Sequence, residues 1–334
     1  MNFAGSLRSL ASLYLFVILL LTAPAGAQNV KIKLGAASSP PILDTITPYV
    51  AVEKGFFKKY GLDVEIVEFR GDVLATKALL SNDLDVLLNV GATSAIVSAA
   101  QGAKVRTWLV PHPVTPYHFV ARKDSSGGTI RGLIGKTIAV SGIGAVSYHI
   151  PRIILERNGV DPEKVNYVVA GSNADRFRAM IGGKADAAMV STIEAAKLDG
   201  FPDLVNLGVV AKVVPEIPFI FSIAREDYIQ KNSETMYRLT KATIESLRWI
   251  AANKAGTVEV AAKVIPDEKP EILGKAYDLA DPRLWGVNGE ISEGAYKYTV
   301  DFLLKVGFMK EPVSYDKLFD RRFVERVLKE LGRK

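Results

Sequence analysis

One pattern occurs twice in this chain, and it restricts the fold more than any other feature. The first copy opens with the alternating strand Val30-Lys31-Ile32-Lys33-Leu34-Gly35. A turn-like Ser38-Ser39-Pro40-Pro41 follows, then a predicted helix from Tyr49 to Tyr60 that Gly61 ends. Leu62 to Val67 alternates again as strand two. Arg70-Gly71-Asp72 is a loop, Val73 to Leu80 a short helix, and Asp85 to Asn89 strand three. Gly91-Ala92-Thr93 opens a further helix through Gln101. The second copy repeats this order. Its strands are Lys136 to Val140, Val165 to Val169 and Asp186 to Val190, and its helices run over Ser147 to Asn158 and Ala174 to Ile181. Ser191-Thr192 opens the next helix. Asp63 precedes Asp85 by 22 residues, and the matching Asp161 precedes Asp186 by 25.

A βαβαβ unit demands an α/β fold, with a sheet covered by helices on both faces. Right-handed crossovers place every strand-to-helix loop on one edge of that sheet. Two copies therefore predict two lobes facing each other across a cleft, lined by six loops at the carboxyl ends of strands. Tyr117 to Ala121 and Phe219 to Ile223, both preceded by prolines, read as the lobe crossings. Those prolines suit hinge strands that do not pair centrally. The expected organisation is residues 28–115 as the first part of lobe 1, 116–218 as lobe 2, and 219–334 as the rest of lobe 1. That last part includes a helical annex, with Met236, Leu239, Ile244, Leu247 and Ile250 at helical spacing.

The first 27 residues read as an address. Arg8 is followed by an apolar run from Leu10 to Leu21 and by Ala25-Gly26-Ala27, the layout of a cleavable signal peptide. About 12 apolar residues are too short to span a bilayer comfortably. The mature chain should start at Gln28 and be exported. The full sequence of 334 residues contains no Cys, which excludes disulfides, thiolate metal sites, a cysteine nucleophile and a lipidated N-terminal Cys. A free periplasmic protein fits these facts. Lys+Arg 42 against Asp+Glu 36 gives +6, or +5 without Arg8. No dense basic run interleaved with aromatics stands in the chain, so nucleic acid is not an expected partner.

The candidate ligand-binding residues come from the loops. Ser38, Ser39, Arg70, Gly91, Thr93, Ser141, Gly144, Ser147, Asn173, Ser191 and Thr192 are small, hydroxylated or cationic groups at or near helix starts. A helix N-terminus carries unpaired N–H groups and partial positive charge, so these loops suit an acidic head group. Arg70 can clamp a carboxylate or sulfonate, or pair instead with Asp72 or Glu68. Ile42 and Ile143 suit the rest of a ligand. Gly142-Ile143-Gly144-Ala145-Val146-Ser147 nearly spells a dinucleotide fingerprint, but its third small position is Ser147, and no acid follows the next strand near Val169-Ala170. No nucleotide or other cofactor and no metal is expected. G-x-S-x-G and H-E-x-x-H are both absent, and His112, His118 and His149 read as structural groups, so no catalytic residue is assigned.

Several short segments, in order, resemble one family. Ala51-Val52-Glu53-Lys54-Gly55-Phe56-Phe57 with Gly61-Leu62-Asp63-Val64 is similar to the A-x-E-K-G-F-F…G-L-D-V segment of nitrate/sulfonate/taurine-type substrate-binding proteins of ABC importers. Ser81 to Val86 resembles their S-G-D-I-D-V, with Asn82 for the glycine. Ala99-Ala100-Gln101-Gly102, Gly132 to Val140 and Gly183 to Ala188 resemble further segments, with Arg131-Gly132 replacing an acid. The resemblance implies the two-lobed, type II-like periplasmic binding fold with C-terminal helices on lobe 1. It also implies a monomeric receptor that hands a small solute to a membrane permease and its ATPase. Ligands in that family range from sulfonates, nitrate and aromatic acids to pyrimidine and flavin precursors. A related enzyme branch that makes the thiamine pyrimidine carries a Cys-rich motif, which this Cys-free chain lacks.

Overall fold

The computed structural model describes residues 29–281 and 284–334; the expected signal peptide and its cleavage site lie outside them. Ten strands form two five-stranded sheets. The strands are β1 (Val30–Ala36), β2 (Leu62–Glu68), β3 (Val86–Gly91), β4 (Val105–His112), β5 (His118–Arg122), β6 (Thr137–Val140), β7 (Asn166–Val169), β8 (Ala187–Val190), β9 (Leu204–Val209) and β10 (Ile220–Arg225). Their orders are β2-β1-β3-β10-β4 and β7-β6-β8-β5-β9.

The repeated pattern supplies the parallel half of each sheet. β1 pairs with β2 and β3, and β6 with β7 and β8, all parallel. Burial follows position. β3 and β8 lie inside their sheets and are buried at every residue, as expected of strands covered on both faces. β2 and β7, at the edges, expose several residues.

The two copies agree at single atoms. Asp85 donates its N–H to the Lys33 carbonyl at 3.0 Å, and its carboxylate accepts the Lys33 N–H at 2.8 Å. Asp186 does the same with Thr137, both bonds at 2.8 Å. Three residues earlier in each copy stands a left-handed residue, Asn82 (φ 67°) or Gly183 (φ 69°). Asn is one of the few side-chain-bearing residues that adopt this region readily, so it can replace the glycine there.

The crossing strands correct one expectation. β10 lies between β3 and β4, and β5 between β8 and β9, antiparallel to both neighbours. They are interior strands, because the prolines at 116 and 218 precede them and remove no ladder donor. Pro111 does lie in a strand, β4, which is an edge strand, where a missing N–H is tolerated.

The Ser233–Ala252 helix buries Met236, Leu239, Ile244, Leu247 and Ile250 and packs on the Thr47–Glu53 and Phe56–Lys59 helices beside the first sheet. The Pro270–Ala280 helix instead rests on the Thr192–Ala196 helix beside the second sheet. Ion pairs Lys275–Asp199 (3.1 Å) and Lys305–Glu156 (2.7 Å) join the same two parts of the chain. No helix among the described residues is long and apolar enough to cross a membrane.

Candidate ligand-binding cavity

The carboxyl ends of the two sets of parallel strands face a common cavity of about 730 Å3, its open mouth included. Five of the six strand-to-helix loops reach it, through Ala37-Ser38-Ser39, Arg70-Gly71-Asp72, Gly91, Ser141 with Ala145-Val146-Ser147, and Gly171-Ser172-Asn173. Ile42, Thr45, Asn89, Tyr117, Arg176, Phe219 and Ile220 complete the lining.

The helix starts differ in how they are capped. The Asp72–Leu80, Ala92–Ala100 and Val146–Arg157 helices begin after Gly71, Gly91 and Ala145, none of which supplies a side-chain cap. The Asn173–Ile181 and Thr192–Ala196 helices are capped by Ser172 and Ser191. Two starts are also occupied by the chain's own carboxylates. Asp72 accepts the Gly91 N–H at 3.0 Å and the Ser94 hydroxyl at 2.8 Å. Asp44, fully buried, accepts the Thr192 N–H at 3.2 Å and its hydroxyl at 2.9 Å. Desolvation raises both carboxyl pKa values, that of Asp44 to about 7, with the Thr192 bonds opposing and nearby Glu194 adding to the rise.

The cations are two guanidiniums. Arg176 is buried, and donates from Nε to the Met189 carbonyl at 3.0 Å, from Nη1 to the Gly171 carbonyl at 2.8 Å and from Nη2 to Asn173 Oδ1. Burial lowers its pKa, while the fields of Tyr117 and Glu194 favour the charge. Arg70 is exposed at the cavity and bonded to nothing among the described residues. Its anticipated alternative partners are engaged elsewhere: Glu68 accepts the Tyr49 hydroxyl at 2.8 Å, and Asp72 is the bridge just described. Ser141 and Ser147 are coupled, hydroxyl to hydroxyl at 2.8 Å, and Ser147 also accepts the Ser141 N–H at 2.9 Å.

Seven sequence candidates thus lie on the cavity wall: Ser38, Ser39, Arg70, Gly91, Ser141, Ser147 and Asn173. Four do not. The Thr93 hydroxyl donates to the Gly144 carbonyl at 3.5 Å, so these two join the sheets' loops to each other. Ser191 caps its own helix and donates to Glu194, and Thr192 holds Asp44. Ile143 is exposed, whereas Ile42 is buried at the wall. Sequence reasoning missed the aromatic pair Tyr117 and Phe219, whose rings lie 4.7 Å apart. Each follows a proline at the entrance to a crossing, a shared Pro-aromatic step that could have marked them. It also missed Asn89, at the end of a strand with no loop signal.

His112, His118 and His149 lie off the cavity wall. Burial pushes them down to about 3, 4 and 3, so all are neutral near pH 7. Of the three, His118 has a side-chain hydrogen bond, to Asn206 at 2.7 Å. Among the described residues no cluster of three or more His, Asp or Glu could hold a metal ion.

The comparisons agree with this architecture. The chain is 25% identical over 290 residues to the Bacillus subtilis (strain 168) protein YtlA, covering 84% of this chain and 86% of that one. It is 27% identical over 217 residues to a formylaminopyrimidine-binding protein of Halalkalibacterium halodurans, covering 61% and 62%. In structure it resembles the alkanesulfonate-binding protein SsuA of Xanthomonas axonopodis pv. citri bound to MOPS. The TM-score is 0.74 at 15% identity, with 88% of this chain and 99% of that one covered. The family model described as "NMT1/THI5 like" matches residues 43–256, more than half of the chain. The chain belongs to the NMT1/THI5-like family and carries it on the two-lobed fold of periplasmic binding proteins.

Proposed function

We propose that the protein is an exported receptor of the ABC-import type that captures a small organic acid between its lobes and presents it to a membrane permease with its ATPase. The observation that carries this reading is the pair of guanidiniums, Arg70 and Arg176, which line one cavity without a carboxylate bonded to either. A carboxylate or sulfonate would receive charge-assisted hydrogen bonds there, with Ser39, Ser141 and Ser147 adding neutral polar groups. Tyr117 and Phe219 supply an aromatic wall for the remainder of the solute.

The two crossings act as the hinge, so that lobe 1 comprises residues 28–115 and 219–334 and lobe 2 residues 116–218. Solute shifts an open population toward the closed form. The receptor is a monomer that performs no chemistry on its cargo. Support comes from the fold and from relatives named as binding proteins. The formylaminopyrimidine-binding relative favours a second reading, a neutral heterocycle seated on the same aromatic wall.

Thermal-shift measurements separate the two. Sulfonates, nitrate, aromatic carboxylates and pyrimidines are compared at saturation, where about 100 times Kd stabilises by about 2.7 kcal/mol. The acid reading expects stabilisation by an acid and a loss of about tenfold in its affinity in Arg70→Ala, the scale of one charge-assisted hydrogen bond. Melting shifted by neutral heterocycles alone refutes it.

A further inference from the structure

Among the described residues lining the cavity, one buried side-chain polar atom has no partner, and it is an acceptor. Asn89 lies near the carboxyl end of β3 with 1% of its surface exposed. Its Nδ2 donates to the Thr45 carbonyl at 3.0 Å. A carbonyl oxygen only accepts, so this contact fixes the orientation of the amide. Oδ1 is therefore the atom left over, buried and without a hydrogen bond. Buried polar groups are rarely left unpaired. The residue lines the cavity, so the donor that completes Oδ1 belongs to the cavity's occupant.

A second acceptor stands beside it. Asn89 and Gly91 are two residues apart on one strand, so a Cβ built on Gly91 lies on the face of the Asn89 side chain, and it would stand 2.5 Å from Asp72 Oδ2. The Gly91 N–H is bonded to Asp72, whose carboxylate also lines the cavity. Gly91 and Ser94 engage one oxygen each. A carboxylate offers about four acceptor sites, so Asp72 retains capacity for a further donor. Asn89 and Asp72 thus bring acceptors to the cavity in which Arg70 and Arg176 supply donors.

We propose that Asn89, with Asp72 beside it, is the specificity-determining acceptor that reads an N–H group on the solute. The solute is then an acid that also carries an amino group or a ring N–H. This deepens the acid-receptor reading, on which the acid half rests. The N–H half stands on Asn89 independently.

The test uses matched pairs of solutes: aminobenzoate against benzoate, 2-aminoethanesulfonate against ethanesulfonate, and a ring N–H pyrimidine against its N-methyl form. Affinities are measured by calorimetry on the mature chain. In the wild type the N–H member of the preferred pair should bind about ten- to a hundredfold tighter, the effect of leaving one buried acceptor unpaired. Asn89→Leu removes the acceptor and also the Nδ2 bond to the Thr45 carbonyl, so any general weakening falls on both members alike, and the two should come within about threefold of each other. Equal binding of both members to the wild type overturns the proposal, without recourse to the variant. So does an Asn89→Leu protein that keeps the preference. Should only the pyrimidine pair bind, and show the preference in the wild type but not in the variant, the acid reading falls and the Asn89 assignment stands.

Discussion

Asp44→Asn isolates the clasp between the two lobes. Asp44 sits in the short turn Leu43–Thr45 after β1, and Thr192 opens a helix after β8, so their two hydrogen bonds join residues 148 apart. The side chain is fully buried, and its pKa rises from 3.8 to about 7, chiefly by desolvation. Between those values the folded protein holds a proton that the unfolded chain has released. Linkage then makes stability fall with rising pH. The contribution is complete below about pH 4 and lost as pH climbs through about 7. At about 1.4 kcal/mol per tenfold change, the rise amounts to about 4 kcal/mol between the two limits. Asparagine has the same shape and no charge. Its Oδ1 can accept the Thr192 N–H, and its Nδ2 can donate to the Thr192 hydroxyl. Asp44→Asn should therefore match the wild type near pH 4 and exceed it by about 4 kcal/mol near pH 8. Relief of repulsion on Glu194 acts in the same direction. Urea unfolding of both proteins across that range measures the difference directly. If the lobes part in the absence of solute, the same free energy appears as a loss of wild-type solute affinity at high pH, absent from the variant. A variant that keeps the wild-type pH slope in both stability and affinity refutes the argument that a buried carboxylate closes the cleft.

Three further substitutions test the packing of the site and the symmetry of the scaffold. A Cβ on Gly91 would lie 2.5 Å from Asp72 Oδ2 and 3.3 Å from Val146 Cγ2. Gly91→Ala should cost about 1–3 kcal/mol in unfolding experiments, as overpacking does, and weaken solute binding more than tenfold; wild-type affinity would show that the close approach is unimportant. Asp85→Ala and Asp186→Ala each remove a carboxylate that accepts a strand N–H at 2.8 Å. Each should cost about 1–3 kcal/mol by denaturant unfolding, and the two costs should agree within about 1 kcal/mol. A large disparity would argue against equivalent roles in the two copies.

The parallel strands were legible because their signal is local: alternation, a glycine or asparagine at a turn, an aspartate before the third strand. β4 and β9 were not. Each lies at a sheet edge against a crossing strand, and its place depends on pairing with a distant segment. β4 also carries Pro111, which argues locally for a turn and is harmless at an edge. The prolines before β5 and β10 misled in the opposite direction. They suggested strands without central pairing, yet both are flanked on two sides, since a proline outside a strand takes nothing from its ladder.

The site shows the same division between local and non-local information. Small hydroxyl residues at helix starts were visible in the sequence, and so was their affinity for negative charge. What satisfies them was not. Asp72 reaches Gly91 and Ser94, and Asp44 reaches Thr192, so two of the helix starts are already met by internal carboxylates. A third carboxylate there would meet an occupied donor and a nearby negative or protonated acid. On the proposed reading, the capacity of this cleft for an anion resides in Arg70 and Arg176, whose bonds leave carboxylates out, and in the uncapped starts after Gly71 and Ala145, rather than in the two starts that Asp72 and Asp44 occupy. On the proposed reading, two guanidiniums on different lobes and the acceptors of β3 and Asp72 suit a solute with an acidic end and a hydrogen-bond-donating end. That reading expects closure of the lobes to depend on both ends being present in one molecule.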